Sequence, residues 1–315
     1  MNTFAFANVV GTFDWGSINL FKLLGQALRL GVLVAFVALG ETFSQRAGVI
    51  NIGVEGVFLS TCCVAAVVSF LGLGVLGGFF GAALAGMAVM SIIAFVVLRL
   101  QADQIVTGFG INLVALGITT VVVKAKPELN SVDGLAILRP FGREGALADV
   151  FSQKWSVFLI VPVAMIASFV LNRTAWGLRL KAVGETPAAA DAAGVRVNVV
   201  RLQAMLACGA LIGLGGAAFA LGQAPGFTEN MVSGRGFIAL VAVIFGRWKP
   251  IPVLLGCLFF GVFEAVTLQA PGWGLEVPSQ LLNAVPYVAC LVALSLFRKG
   301  ARPPSAMAQP FERKR

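Results

Sequence analysis

The sequence predicts an all-α polytopic membrane protein. Of its 315 residues, 58% are hydrophobic and only 12% charged, with a mean hydropathy of +0.92. A soluble domain of this length would need a more charged surface. Apolar runs also recur at about the 20 residues that cross a bilayer. Most of the net charge of +9, with no histidine, sits in a loop between those runs and in the tail after them. Alternation of basic stretches with membrane spans speaks against nucleic-acid binding, which needs the charge on one face.

In chain order, about nine (eight to ten) segments are long enough, or nearly so, to span. They are Phe21–Leu39, Val49–Leu71, Leu73–Leu98, Ile105–Val123, Ser156–Leu171, Leu202–Leu221, Gly236–Gly246, Pro252–Ala270 and Gln280–Phe297. The first carries Lys22, Gln26 and Arg29 at i, i+4, i+7, on one helix face. That face either meets the bundle or snorkels to the interface. In the third, Gly74/Gly78, Gly77/Gly81 and Ala82/Gly86 form a small-residue face that lets helices approach closely. Trp15, Trp155, Trp176, Trp248 and Trp273 fall near segment ends, as interfacial anchors do. Cys62, Cys63, Cys208, Cys257 and Cys290 lie in apolar runs without CxxC spacing, as buried packing residues.

Between the fifth and sixth segments runs NRTAWGLRLKAVGETPAAADAAGVRVNVVR, residues 172–201. It is basic, and its middle reads as a separate short helix. Thr186 can cap it, Pro187 suits its first position, Ala189 and its neighbours propagate it and Gly194 stops it. Basic loops lie inside, so this loop and the tail with Arg298, Lys299, Arg302, Arg313, Lys314 and Arg315 are expected in the cytoplasm. The charge-balanced stretch Lys124–Lys154 and the N-terminus then fall outside. The N-terminus has no basic leader and does not read as a cleaved signal peptide. The chain divides into an external segment 1–20, a first membrane repeat 21–171, a cytoplasmic loop 172–201, a second membrane repeat 202–297 and a basic tail 298–315.

The two membrane halves echo each other at an offset of about 175 to 180 residues, with an odd number of spans between matching positions, which is the inverted-repeat plan. GETFSQRAGVINIGVEGVFLS follows Leu39 and GQAPGFTENMVSGRGFIAL follows Leu221. Both set glycines, amides and carboxylates against an apolar run. They read as half-helices beside a central pathway, or as interfacial loops with capping residues. Asn51, Glu55, Asn112, Asn230, Gln280 and Asn283 are the candidate pathway residues, since amides and carboxylates can bond hydroxyls and base edges. Glu264 lies about 18 Å along its helix from Pro252. It should be paired, as part of the pathway or as a structural hub.

There is no GxxxxGK[ST] phosphate loop, nucleophile elbow or histidine-based metal set. Catalysis by this chain alone, a cofactor of its own and a metal site are not expected.

Three strings then carry a resemblance: GETFSQRAGVINIGVEGVFLS, TAWGLRLKAVGETPAAADAAGV, and GRGFIALVAVIFGRWKP with LFFGVFEA after it. Together they resemble the permease family of bacterial ABC importers that includes the ribose and branched-chain amino acid permeases. The nearest likeness is to its nucleoside and simple-sugar branch, from about Asn19 to Phe297. The resemblance implies a BtuC-like importer permease fold and a separate ATPase that binds ATP. It implies a periplasmic or lipid-anchored binding protein, and a second permease chain as heterodimer or homodimer partner. It makes 172–201 the coupling loop, with Gly184, Glu185, Thr186, Pro187, Ala189, Asp191 and Gly194 in the coupling helix. A simple-sugar permease and an ion-driven secondary transporter remain the alternatives.

Overall fold

The computed structural model describes residues 19–131, 134, 137–138, 145–223, 226–273, 278–296 and 302–311. The N-terminal segment with Trp15, and Arg298, Lys299, Arg313, Lys314 and Arg315, lie outside the described residues.

Helix α1 (Leu20–Arg46) is capped by Asn19, whose Oδ1 accepts from the Lys22 N–H. Helix α2 (Val54–Val68) continues through a wide turn at Ser69–Leu73 into α3 (Gly74–Ala94). Helix α4 (Gln104–Ala125) is capped by Asp103. A short helix α5 (Ala146–Phe151) lies between two-residue antiparallel strands β1 (Ile137–Leu138) and β2 (Gln153–Lys154). Then come α6 (Trp155–Arg173), α7 (Ala175–Glu185), α8 (Pro187–Ala192) and α9 (Val197–Ala218, extended to Gln223). The chain ends with α10 (Arg235–Phe245), α11 (Pro250–Gln269) and α12 (Ser279–Leu296).

Among the described residues, six helical runs are long and apolar enough to cross a membrane, and Arg235–Phe245 and Gln280–Val292 are shorter apolar helices. The expected segments Val49–Leu71 and Leu73–Leu98 share one run, Val54–Arg99. It breaks at Gly72 (φ +86°) and Gly74 (φ +65°), a left-handed turn cheap only for glycine. Gly74 therefore makes a turn and no helix contact.

Helices α1 and α9 form the centre, each with 72% of its most apolar window buried, against 17% for α4. Helix α4 turns Val106, Leu113, Ile118 and Val121 outward, as a lipid-facing or partner-facing helix does. The small-residue face works at its far end: Gly86 on α3 and Gly209 on α9 bring their backbones into contact, and a Cβ on either would overlap the other's carbonyl oxygen. Of the α1 stripe, Gln26 accepts from Gln269 at 2.6 Å and Arg29 donates to Gln153 at 3.0 Å, so these two meet the protein, while the Lys22 side chain is exposed. All five cysteines are free and buried.

The tryptophans differ from the anchors expected. Trp248 is buried and donates to Gln45, Trp155 packs on Phe79, Trp176 donates to Gln203 and stacks near Phe43, and Trp273 is buried. Trp248 and Trp273 are spent inside the protein, where an indole N–H needs a partner, while Trp155 and Trp176 stay half-buried.

Gly86→Val should destabilise the bundle by about 1–3 kcal/mol through overpacking at the α3–α9 crossing. Thermal unfolding in detergent against Gly110→Val, whose added atoms meet open space, checks this.

Candidate functional site

Two interruptions of helical backbone lie within the bundle, one in each half. At the first, α1 ends at Gly48 (φ +85°) and α2 begins at Val54. The backbone between them leaves the helix ladder and needs other partners. Gln104 Oε1 accepts from the Ile50 N–H at 2.9 Å. Asn112 Oδ1 accepts from the Gly56 N–H at 2.7 Å, and its Nδ2 donates to Ile52 O at 3.0 Å. Asn51, 1% exposed, donates to Glu41 Oε1 at 2.7 Å. The Cys208 thiol donates to the same oxygen at 3.3 Å. Asn112 thus bonds the backbone on either side of Val54, and Asn51 is held by Glu41 beside the break. Side-chain amides bond the open backbone there because no solvent does.

At the second, α10 starts from Gly234 (φ +85°). Its first N–H groups have no helical partner, and they point at Glu55. The Glu55 carboxylate accepts from Gly234 N–H through Oε1 and from Gly236 N–H through Oε2 at 2.8 Å. A carboxylate also suits the positive end of the α10 dipole. No side chain fits at Gly236, because a Cβ would press on the Glu55 backbone and carboxylate. Glu229 accepts from Thr120 Oγ1 at 3.0 Å, which ties the preceding loop to α4.

Beside Glu55, Arg235 forms an ion pair with Glu264 at 2.5 Å, their side chains 20% and 10% exposed. Arg235 also donates to Met231 O and Val232 O, and its guanidinium lies 5.1 Å from the centre of the Phe219 ring. Tyr287 donates to Ser233 O at 2.7 Å, and its hydroxyl lies where a Gly234 side chain would be. Arg235, Glu264, Thr267, Ser233, Pro286 and Tyr287, with Ile238 and Leu268, line an open cavity of about 240 Å³. It joins a flat aromatic ring, an ion pair and hydroxyls in one concave site, the usual make-up of a small-molecule site.

Of the expected pathway residues, Glu55 stands at the N-terminus of α10 and Glu264 on the cavity wall. Asn230 is exposed on the loop before Arg235 at φ +50°, and Gln280 is exposed at the start of α12. The Asn283 side chain lies outside the described residues. Glu41, Arg235 and Tyr287 were not among the candidates. Arg235 could have been found as the one cation opening an apolar half-helix, and Tyr287 as the chain's sole tyrosine.

On the basic loop, the polar stretch forms two helices. Gly184 lies inside the last turn of α7, where a Cβ would collide with Arg46 O, so it is a close-approach residue and no helix boundary. Thr186 takes the N-cap position of α8 but accepts no cap bond, Pro187 opens the helix, and Gly194 (φ +83°) follows its end. Ala190 is buried while Ala188, Ala189 and Ala192 are exposed. Glu185 accepts from Ser305, and Asp191 is half-buried. Lys181 donates to Asn172 Oδ1 at 2.8 Å, and burial, then the charges of Arg46 and Lys249, hold its pKa below the usual lysine value.

The family model described as the permease component of branched-chain amino acid transport systems matches residues 23–294. A nucleoside ABC transporter permease of Lactococcus lactis is 35% identical, over 90% of this chain and 94% of the relative. A guanosine ABC transporter permease of Bacillus subtilis is 34% identical, over 87% of this chain and 91% of the relative. Each of those organisms also has a second permease of the same description, 23% and 25% identical to this chain. The solved structure of an inward-facing metal-chelate type ABC transporter matches with a TM-score of 0.52 at 17% identity, over 87% of this chain and 85% of that one. That likeness is one of fold alone: a helical, multi-pass ABC permease.

Arg235→Leu should cost about 3–5 kcal/mol, because it leaves Glu264 buried and unpaired. Arg235→Leu with Glu264→Leu should recover much of that loss. Thermal unfolding of the two single variants and the double variant measures the coupling.

Proposed function

The chain belongs to the family of branched-chain amino acid transport permease components, and we propose that it is the membrane subunit of an ABC importer for nucleosides. The family consists of transport components and not enzymes. ATP is bound by a separate ATPase, and cargo arrives on a periplasmic or lipid-anchored binding protein. The pairs of unequal permeases in Lactococcus lactis and Bacillus subtilis favour a heterodimer with a second permease chain over a homodimer.

The observation that carries the reading is the cavity between Arg235, Glu264 and Tyr287. A nucleoside is a flat, uncharged base joined to a polyhydroxyl ring. Tyr287 offers an aromatic face for the base. Glu264, Thr267 and Ser233 offer oxygens for ribose hydroxyls. Asn230, Gln280 and Asn283 stand as the mouth of the pathway, and Asn51, Glu55 and Asn112 as the frame of its two breaks. The nucleoside and guanosine names of the relatives support this substrate class.

The two breaks stand as matching positions of two inverted repeats in a BtuC-like fold of about nine spans. In support, each is bounded on one side by a glycine at φ +85°, Gly48 before the first and Gly234 after the second. The basic loop lies in the cytoplasm with the tail, and the N-terminus outside, in the inner or plasma membrane. Helix α8 is the coupling helix. Its exposed alanines present a smooth face to an ATPase groove, and Pro187 and Gly194 mark its ends. Closure of the ATPase moves a docked helix as a rigid piece, and packed helices respond by shifting between discrete arrangements.

Cells carrying the full transporter should take up labelled guanosine, and unlabelled nucleosides should compete while glucose does not. Glucose competition would move the cargo to simple sugars. Tyr287→Ala should lower uptake about ten-fold, the effect of about 1.4 kcal/mol. Ala189→Arg with Asp191→Lys should abolish uptake without changing the thermal stability of the purified permease. Intact uptake would remove α8 as the docking element.

A further inference from the structure

The described tail segment, residues 302–311, does not trail away from the protein. It turns back across the loop side of the bundle and inserts between three elements. Ala306 N–H donates to Gly184 O in α7 at 2.9 Å, and Ala308 N–H donates to Gly48 O at the end of α1 at 3.0 Å. Ser305 donates to Glu185 Oε2 through its N–H at 3.2 Å and its hydroxyl at 3.0 Å. On the other flank, Arg201 of α9 donates to Ala47 O at 3.2 Å and to Gln309 O at 3.0 Å.

Arg201 is 1% exposed, and its hydrogen-bond partners among the described residues are the carbonyl oxygens of Ala47 and Gln309. A buried guanidinium bonded to carbonyls is costly unless its site requires it. Here it rests at the C-terminal, negative end of the α1 dipole and bridges that end to the tail. The side chains close the contact. Ala306 is 3% exposed, Met307 packs against the main core, and Phe311 packs against the second core, formed by residues of α1, α6, α7, α8 and α9. Pro303 and Pro304 limit the conformations the segment can take before it docks.

The strap therefore joins the root of α8 to the end of α1, and α1 is the central helix whose next residues form the first backbone break. We propose that the C-terminal segment 302–311 is a permanent coupling strap: it passes displacement of the α7–α8 loop to α1, with Arg201 as its buried fastening. This rests on the reading that α8 docks an ATPase. A surface tail with no task would not spend two backbone hydrogen bonds, a buried arginine and three apolar side chains on this site.

The test uses the whole transporter, purified through its ATPase and reconstituted, and reads nucleoside transported per ATP hydrolysed. The variants are Ser305→Ala, Ala306→Pro, which removes the N–H that bonds Gly184, and truncation after residue 301. Co-purification of the ATPase with the unaltered chain tests the docking reading separately. With docking intact, the transport-to-hydrolysis ratio should fall about five-fold for Ala306→Pro, the worth of about one net hydrogen bond. It should fall less for Ser305→Ala and more for the truncation, while hydrolysis persists. A truncated chain that assembles with an unchanged ratio overturns the proposal. If the truncated chain does not assemble, an assembled Ala306→Pro complex decides: a lowered ratio supports the strap and an unchanged one overturns it.

Discussion

A backbone N–H or C=O that leaves a helix inside a membrane must find its partner within the protein, because lipid offers none and each unsatisfied group costs several kcal/mol. The arrangement of this chain follows from how it meets that demand at two places. At the first break the partners are the amides of Gln104 and Asn112 on α4. At the second they are the two oxygens of Glu55, taken by Gly234 and Gly236. Glu55 itself sits in the first turn of α2, just past the first break. The helix that restarts after one break thus supplies the cap for the helix that restarts after the other.

That arrangement brings charge into the bundle in a controlled way. The Glu55 carboxylate faces the positive end of α10, and Arg235 is answered by Glu264 across the cavity and by the Phe219 ring beside it. Neither carboxylate is left alone in apolar surroundings. A cavity with its polar groups already paired offers cargo replaceable hydrogen bonds and holds no isolated charge. Weak, exchangeable contacts suit a permease that must release what it receives.

Much of this was legible in the sequence. Membrane class, the short α10, the separate helix opened by Pro187 and the packing role of Gly86 all follow from local composition and period. The breaks were legible because glycines and amides cannot sit idle beside an apolar run. What was not legible was pairing over long separations. Nothing local says that Glu55 reaches Gly234, that Arg235 takes Glu264, or that Asn112 bonds the backbone of Gly56 and Ile52. Trp248 read as an interfacial anchor by its place in the chain, yet Gln45 holds it inside. The tail read only as charge, while its docking depends on Arg201, more than a hundred residues earlier. Nothing local says that Gly184 lies against Arg46 O, which sets its need for no side chain.

In the proposed mechanism a docked ATPase, and no ion gradient, drives cargo past this site. The direct measurement is nucleoside uptake into proteoliposomes holding this chain, its partner permease and the ATPase, with binding protein supplied on the uptake side. Uptake should require ATP on the ATPase side and persist when ionophores collapse all ion gradients. Uptake that proceeds without ATP and stops when a gradient is dissipated would contradict that mechanism.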